Sequence, residues 1–142
     1  MKIALGADHA GYELKNEIAR HLRRLGHQVE DLGTNSPDSV DYPDYAKDVG
    51  RKVARGVAER GILVCGTGQG MCMTANKIPG VRAGVVSDLF SAQMIRAHND
   101  ANVLCLGARV TPPEKVREIV EAFLSTAFEG GRHERRVGKI EK

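Results

Sequence analysis

Short apolar runs alternate with stretches of helical periodicity along the whole chain. Runs of consecutive apolar or small residues predict buried strands, whereas apolar residues spaced three or four apart predict amphipathic helices. The predicted strands cover residues 2–7, 27–32, 61–65, 81–86 and 102–106. The predicted helices cover residues 12–25 and 89–97, with others beginning near Pro43, near Met71 and after Thr111.

Five strands that alternate with helices predict one parallel sheet with helices on both faces. We therefore expect an α/β fold, a Rossmann-like three-layer α/β/α domain with a five-stranded, mostly parallel sheet. Residues 1–142 form one domain in this interpretation, without linkers or repeats, and the order of the strands stays open. The segment Thr111-Pro-Pro-Glu114 resembles a capping box at the start of the fifth helix.

Composition places the chain among ordinary soluble globular proteins, with 42% hydrophobic and 27% charged residues in 142. No apolar run approaches the ~20 residues that cross a membrane, and the first residues do not resemble a signal peptide. The three cysteines, Cys65, Cys72 and Cys105, form no CxxC pair. We therefore expect a reducing, cytoplasmic location and no membrane partner.

The net charge of +3 is concentrated in the last eleven residues, 132–142, which hold five basic and two acidic side chains. This excess is too small for a dedicated nucleic-acid binder, and stacking platforms of aromatic residues are missing. Arg132 and Arg136 are four residues apart and share one face if the tail is helical. Two guanidinium groups on one face suit a phosphate ester, although a solvated tail is the simpler interpretation.

The loop Gly66-Thr67-Gly68-Gln69-Gly70 follows the third predicted strand and has three glycines in five residues. Its amide groups could point at one anion at the start of the next helix, either a phosphate or a developing oxyanion. It matches neither a Walker A loop nor a dinucleotide fingerprint. The alternative is a tight turn that needs glycine only for steric reasons.

Polar residues follow the other predicted strands, where ligands of open α/β sheets bind. Asp8-His9 either binds a sugar hydroxyl and a phosphate or caps the next helix. Cys65 either provides a thiolate near a helix N-terminus or is a small apolar side chain at the end of a strand. His98 closes a helix, where it could simply interact with the dipole. The spacing of His, Cys and carboxylate residues matches no known zinc or calcium motif, so we expect no metal and no cofactor.

Six segments taken together resemble the ribose-5-phosphate isomerase B family, which includes galactose-6-phosphate and allose-6-phosphate isomerases. They occur in the same order over nearly the whole chain, from Ile3 to about Val137. The segments are Asp8-His-Ala-Gly11, Cys65-Gly-Thr-Gly-Gln-Gly70, Ala75-Asn-Lys77, His98-Asn-Asp-Ala-Asn102, Gly107-Ala-Arg109 and Glu129-Gly-Gly-Arg-His-Glu-Arg-Arg136.

The resemblance implies a metal-free aldose–ketose isomerisation through a cis-enediolate, with ribose 5-phosphate as the expected substrate. Cys65 would be the base, His98 the acid that opens the sugar ring, and Thr67 an aid to proton transfer. Some family members use a glutamate six residues after this cysteine, where this chain has Met71. The substrate would be held by the glycine loop and by further residues: Asp8 and Asn99 at the hydroxyls, and His9, Arg109, Arg132 and Arg136 at the phosphate.

His98 and Asn99 precede the fifth predicted strand, at the edge of the sheet opposite the glycine loop. They should not reach Cys65 of their own chain, so we expect a site shared across a two-fold interface. The resemblance also implies homodimers or tetramers. A hexose 6-phosphate substrate remains an alternative within the family, and a non-catalytic phosphate- or nucleotide-binding module remains one outside it.

Overall fold

Five strands and six helices make up the chain, and the computed structural model describes all residues, 1–142. The strands are β1 (Lys2–Ala7), β2 (Gln28–Asp31), β3 (Arg60–Cys65), β4 (Ala83–Val85) and β5 (Val103–Gly107). The helices are α1 (Tyr12–Arg24), α2 (Tyr42–Ala54), α3 (Gln69–Ala75), α4 (Leu89–Ala97), α5 (Pro113–Ser125) and α6 (Arg132–Ile140). None of these helices is long and apolar enough to cross a bilayer.

The sheet has the order β2-β1-β3-β5-β4, and every pair of neighbours is parallel. The predicted α/β class is therefore confirmed, with a sheet that is wholly parallel. All five strands end at the same edge. Cys65 pairs with Gly107 there, so the segments after β3 and β5 leave the sheet side by side.

Alternation along the central strands divides the core into two layers. Leu5, Ile62 and Leu104 face a cluster that includes apolar residues of α1, α4 and α5. Leu63 and Cys65 face the opposite cluster, which α2 and α3 complete. Both sheet faces are covered, which explains why the central strands β1, β3 and β5 are nearly continuous apolar runs rather than alternating ones.

A buried ion pair fastens α1 to the end of β2. The Lys15 side chain is 1% exposed, and its Nζ lies 2.7 Å from both carboxylate oxygens of Asp31. Asp31 also accepts a hydrogen bond from the Gly33 amide, and the Gly33 carbonyl accepts one from Ala7 at the end of β1. The pair thus anchors the chain beside the strand end that carries Asp8.

Two local predictions about α3 and α5 are wrong in detail. The capping box is absent: Pro112 is the N-cap of α5, no side chain caps it, and Thr111 Oγ1 is buried without a hydrogen-bond partner. A residue that precedes proline avoids helical backbone angles, so the helix cannot begin before Pro113. Helix α3 begins at Gln69, two residues earlier than predicted, and includes the end of the glycine loop.

The basic tail is helical, so Arg132 and Arg136 are four residues apart on α6. This helix lies at the edge of the sheet where the strands begin. The Glu129 amide donates to the Ala97 carbonyl at 3.0 Å, and Glu141 forms an ion pair with Arg82, just before β4. The Gly130-Gly131 turn, in which both glycines have positive φ, therefore directs the tail away from the glycine loop of its own chain.

Candidate active site

The glycine loop places an amide against the sulfur of Cys65. The Gly68 N–H donates to Cys65 Sγ at 3.1 Å, and both residues are buried. Gly68 has φ of +83°, and a Cβ there would lie 3.1 Å from the Leu106 carbonyl carbon. Glycine is required at this position because of both the backbone angle and the close approach. The hydrogen bond fixes the Cys65 sulfur beside the backbone amides of the glycine loop.

Arg109 extends over the same loop. Its backbone amide donates to the Gly66 carbonyl at 3.0 Å, and its guanidinium contacts Gly66, where a Cβ would lie 3.3 Å from Nη1. Thr67 is exposed at the tip of the loop, and its Oγ1 accepts a hydrogen bond from the Gln69 amide at 3.3 Å. The predicted convergence of the segments after β3 and β5 is therefore present in one chain.

Asp8 and His9 follow β1 at this edge. Asp8 Oδ1 accepts hydrogen bonds from the amides of Ala10 and Gly11, at 3.0 and 3.1 Å, while Oδ2 makes none within the chain. One oxygen of Asp8 thus orders the turn into α1 and the other is free for a ligand. His9 Nδ1 accepts from the Val40 amide at 3.2 Å, which leaves its proton on Nε2 as a donor for an anion.

Tyr42 is a candidate site residue that the sequence did not indicate. It is the first residue of α2, is 41% exposed, and its ring packs on Gly70 so closely that a Cβ there would lie 2.6 Å from Cζ. The ring therefore covers one side of the glycine loop. The only indication of this contact in the sequence is an aromatic residue directly before Pro43. It lies at the end of a segment in which the apolar pattern predicts neither a helix nor a strand.

A second group of predicted residues lies at the opposite edge of the sheet. His98 is the C-cap of α4 and Asn99 is exposed after it, while Arg132 and Arg136 are exposed on α6. A strand rises about 3.3 Å per residue, so the four steps from Val103 to Gly107 separate the two edges by roughly 13 Å. The predicted site residues of one chain therefore fall into two groups, the two proposed half-sites, which face different ends of the sheet.

His98 is in contact with α6 rather than with Cys65. Its ring stacks on that of His133, with centroids 4.2 Å apart and an interplanar angle of 11°. Glu129 Oε1 lies 3.7 Å from Nε2 of His98 and 3.6 Å from Nε2 of His133. Desolvation, followed by the neighbouring His98 ring, lowers the pKa of His133 below its ordinary 6.5. These three side chains form the one cluster of the chain whose geometry could hold a metal ion.

The other two cysteines form a thiol pair beneath α3. A hydrogen bond from the Cys105 thiol, opposed by burial, lowers the pKa of Cys72 from 9.0 to about 7. The same hydrogen bond, together with burial, raises the pKa of Cys105. Cys105 is fully buried within β5, as expected for a core residue. Cys72 is half-buried and is the more acidic of the two.

A cavity of about 610 Å³ lies away from Cys65. It is formed by the end of α3, the start of β4 and the end of α6, and Asn99 contributes to it. Arg82 lines this cavity, and its side chain is held by Asp100 and Glu141. Two asparagines from the segments that carry the family resemblance have structural roles here, since Asn76 pairs with the backbone of Ala83 and Asn102 with that of Arg82.

Comparison with known proteins finds close relatives over almost the full length. The sequence model of a family described as Ribose/Galactose Isomerase matches residues 3–140. Ribose-5-phosphate isomerase B of Escherichia coli is 50% identical over 139 residues, 98% of this chain and 93% of the E. coli protein.

Solved structures give the same result. Ribose-5-phosphate isomerase B of Clostridium thermocellum is 50% identical, with a TM-score of 0.98 over 99% of this chain and 95% of that one. The Mycoplasma genitalium enzyme, solved with bound ribulose 5-phosphate, is 45% identical, with a TM-score of 0.96 over 99% and 93% of the two chains.

Proposed function

The chain belongs to the ribose/galactose isomerase family and is an isomerase of sugar phosphates, and from this premise we propose that it interconverts D-ribose 5-phosphate and D-ribulose 5-phosphate. The relatives that carry this activity in their names are about half identical to it over nearly the whole chain. The observation on which the mechanism rests is the 3.1 Å contact between the Gly68 amide and Cys65 Sγ.

In the proposed reaction, the Cys65 thiolate is the general base. It removes the proton from C2 of the open-chain aldose and returns it to C1, while a proton passes from O2 to O1. The intermediate is a cis-enediolate, whose negative charge the amides of Gly66–Gly70 stabilise. Because these amides provide the electrophilic assistance, the reaction needs no metal ion. Met71 is fully buried in the core and cannot act as the base.

The phosphate is proposed to bind between the two half-sites. His9 offers its Nε2–H and Arg109 its guanidinium at the carboxyl edge of one chain. Arg132 and Arg136 are supplied by a second copy, because α6 lies at the other edge of its own chain. The four groups hold a part of the substrate that does not react, and thereby orient the part that does.

The same two-fold arrangement is proposed to bring His98 and Asn99 to the sugar ring. His98 acts as the acid that opens the furanose, assisted by Thr67, while Asp8 Oδ2 and Asn99 bind hydroxyl groups. Gln69, exposed at the start of α3, lies beside this sugar-binding region. The active unit is therefore a homodimer, or a tetramer of two such dimers, with each site made from two chains.

A proton-exchange assay in D₂O tests the proposal directly. Deuterium is expected at C2 of ribose 5-phosphate and at C1 of ribulose 5-phosphate, without added metal and in the presence of a chelator. Cys72→Ser provides a matched thiol control that retains exchange, whereas Cys65→Ala loses it. Absence of exchange in the unmodified protein, or a much higher kcat/KM for allose 6-phosphate or galactose 6-phosphate, would contradict the assignment.

A further inference from the structure

Three potential metal ligands converge where α4 meets the turn before α6. One ring nitrogen of His98, one ring nitrogen of His133 and a carboxylate oxygen of Glu129 all lie within 4.8 Å of one another. All three belong to one chain, so the cluster does not depend on an assembly. The sequence signal is the pair Glu129-x-x-x-His133, to which the fold adds a histidine 31 positions upstream of Glu129.

The distances in the cluster fit a shared ion better than direct hydrogen bonds. Glu129 Oε1 lies 3.7 and 3.6 Å from the two Nε2 atoms, beyond the 2.7–3.2 Å of an N–H···O bond. Ligands at ~2.1 Å in a tetrahedral zinc site are separated by about 3.4 Å. The Glu129 oxygen is therefore nearly equidistant from the two Nε2 atoms. Both distances are close to the separation between two ligand atoms of a tetrahedral zinc ion.

Local packing holds two ligands in place and leaves the third free to adjust. His133 is 11% exposed, and Glu129 is anchored through its amide to the Ala97 carbonyl. The stacked rings are almost parallel and must splay at Nε2 to converge on one ion. His98, at 41% exposure, has the room to make that rotation.

The charge around the cluster limits which ions can bind. Arg132 and Arg136 are on α6 with His133 and oppose any cation, while Glu129 offsets one positive charge. Hard cations such as Mg²⁺ prefer several oxygen ligands and gain little from two imidazoles. Zn²⁺ and its neighbours bind imidazole nitrogen strongly, and two histidines with one glutamate form a known zinc ligand set with one open position.

We propose that His98, Glu129 and His133 bind one Zn²⁺ or similar divalent transition metal ion per chain, and that the bound ion inhibits the isomerase by occupying Nε2 of His98. The ion is not a cofactor in this view: it competes with the sugar ring for the acid that opens it. The binding step stands on the cluster alone, whereas the inhibition rests on the function proposed for His98.

Metal titration of the tag-free, metal-depleted protein tests the binding step. Co²⁺ absorption and Zn²⁺ calorimetry are expected to give one ion per chain. Loss of an outer-shell partner costs ~10–100-fold in metal affinity, so removal of a ligand through His133→Ala or Glu129→Gln should cost at least tenfold. His27→Ala, a histidine outside the cluster, should bind as the unmodified protein does. Circular dichroism establishes that each variant is folded, and equal affinity in all of them would overturn the site.

Isomerase assays test the inhibition separately. Zn²⁺ is expected to slow turnover of ribose 5-phosphate and EDTA to restore it, while His133→Ala remains active and resists the metal. Equal inhibition of His133→Ala would assign the effect to another group, such as the Cys65 thiolate, and would overturn the inhibition. A protein that binds zinc stoichiometrically but shows no isomerase activity even without metal would refute the proposed function and leave the metal site standing.

Discussion

The Gly68 amide donates a hydrogen bond to Cys65 Sγ at 3.1 Å, across a turn that only glycine can make because φ of Gly68 is +83°. The same turn brings the start of α3 next to the sulfur. The three-residue segment that follows Cys65 therefore brings a backbone amide into contact with the thiol at the end of the buried strand β3.

Replacement of Cys65 by alanine should abolish isomerisation without loss of substrate binding. General-base catalysis contributes typically 10²–10⁴-fold, so kcat should fall by about that factor. The dissociation constant for ribose 5-phosphate, measured by calorimetry, should remain within a few-fold because the phosphate contacts are retained. Turnover close to that of the Cys72→Ser control would contradict the role of Cys65 as the base.

Mixing two inactive variants should restore activity if the site is shared. Cys65→Ala and His98→Asn each damage a different half-site. Equal mixing with random exchange makes half of the dimers mixed, each with one intact site of two, so about a quarter of the unmodified activity should return. Neither variant alone should recover on incubation. A mixture that stays inactive after subunit exchange, followed by mass spectrometry of the dimers, would show that each site is built from one chain.

Gly68→Ala should destabilise the protein and reduce turnover. A side chain in this left-handed conformation costs about 1–3 kcal/mol, and its Cβ would lie against the Leu106 backbone. Urea unfolding measures the loss. Gly138→Ala is the matched control, because Gly138 is within α6 with no neighbour within 4 Å, and alanine there should add roughly 0.5–1 kcal/mol. Similar unfolding midpoints for both variants would refute the prediction.

Lys15→Met should lower the free energy of unfolding because it leaves the Asp31 carboxylate without its cation. Breaking a buried ion pair costs about 3–5 kcal/mol, and we expect the low end since the Asp31 side chain is 23% exposed. Lys52→Met removes the comparable but exposed pair with Glu30 and should cost no more than about 1 kcal/mol. Equal losses for the two variants in urea unfolding would show that burial of Lys15 does not matter.

Cys72 should react with alkylating reagents near neutral pH. Its pKa is lowered to about 7, chiefly by the hydrogen bond from Cys105, so its thiolate fraction rises as pH increases through 7 rather than through 9. Iodoacetamide labelling followed by peptide mapping, in a Cys65→Ala background, gives the pH midpoint. Cys105→Ala should shift this midpoint upward, and a midpoint near 9 in both proteins would be inconsistent with the thiol pair.

His133 should titrate below the ordinary pKa of histidine. Desolvation and the adjacent His98 both disfavour its protonated form. Because the folded-state pKa is lowered, the stability that neutral His133 contributes is present above pH 6.5 and is lost as pH falls through the lowered value. NMR titration of the imidazole protons measures it. A His133 midpoint at or above 6.5 would contradict the desolvation of this ring and its contact with His98.

Local patterns in the sequence determined the secondary structure and half of the site. Leu14, Ile18 and Leu22 have the spacing of the helix α1, and a short apolar run such as Ile62–Cys65 is typical of a central strand. Parallel strands end at one edge, so Asp8, Cys65 and Arg109 could be assigned to a common region before their contacts were known. The family resemblance over six segments is likewise a property of the sequence.

The remaining features arise from contacts between residues far apart in the chain. These features are the order of the strands, the packing of α6 beside His98 and the contact of the Tyr42 ring with Gly70. They depend on how the helices and strands pack against one another, and the hydrophobic periodicity of the sequence carries no information about this packing. The sequence by itself determined which segments form helices and strands, and which reactive and polar side chains lie at the ends of those segments. The position of His98 before β5 and of Cys65 at the end of β3 already places them at opposite edges of the sheet, whereas only the tertiary structure decided what His98 contacts there, because the packing of α6 brings His133 and Glu129 to its ring.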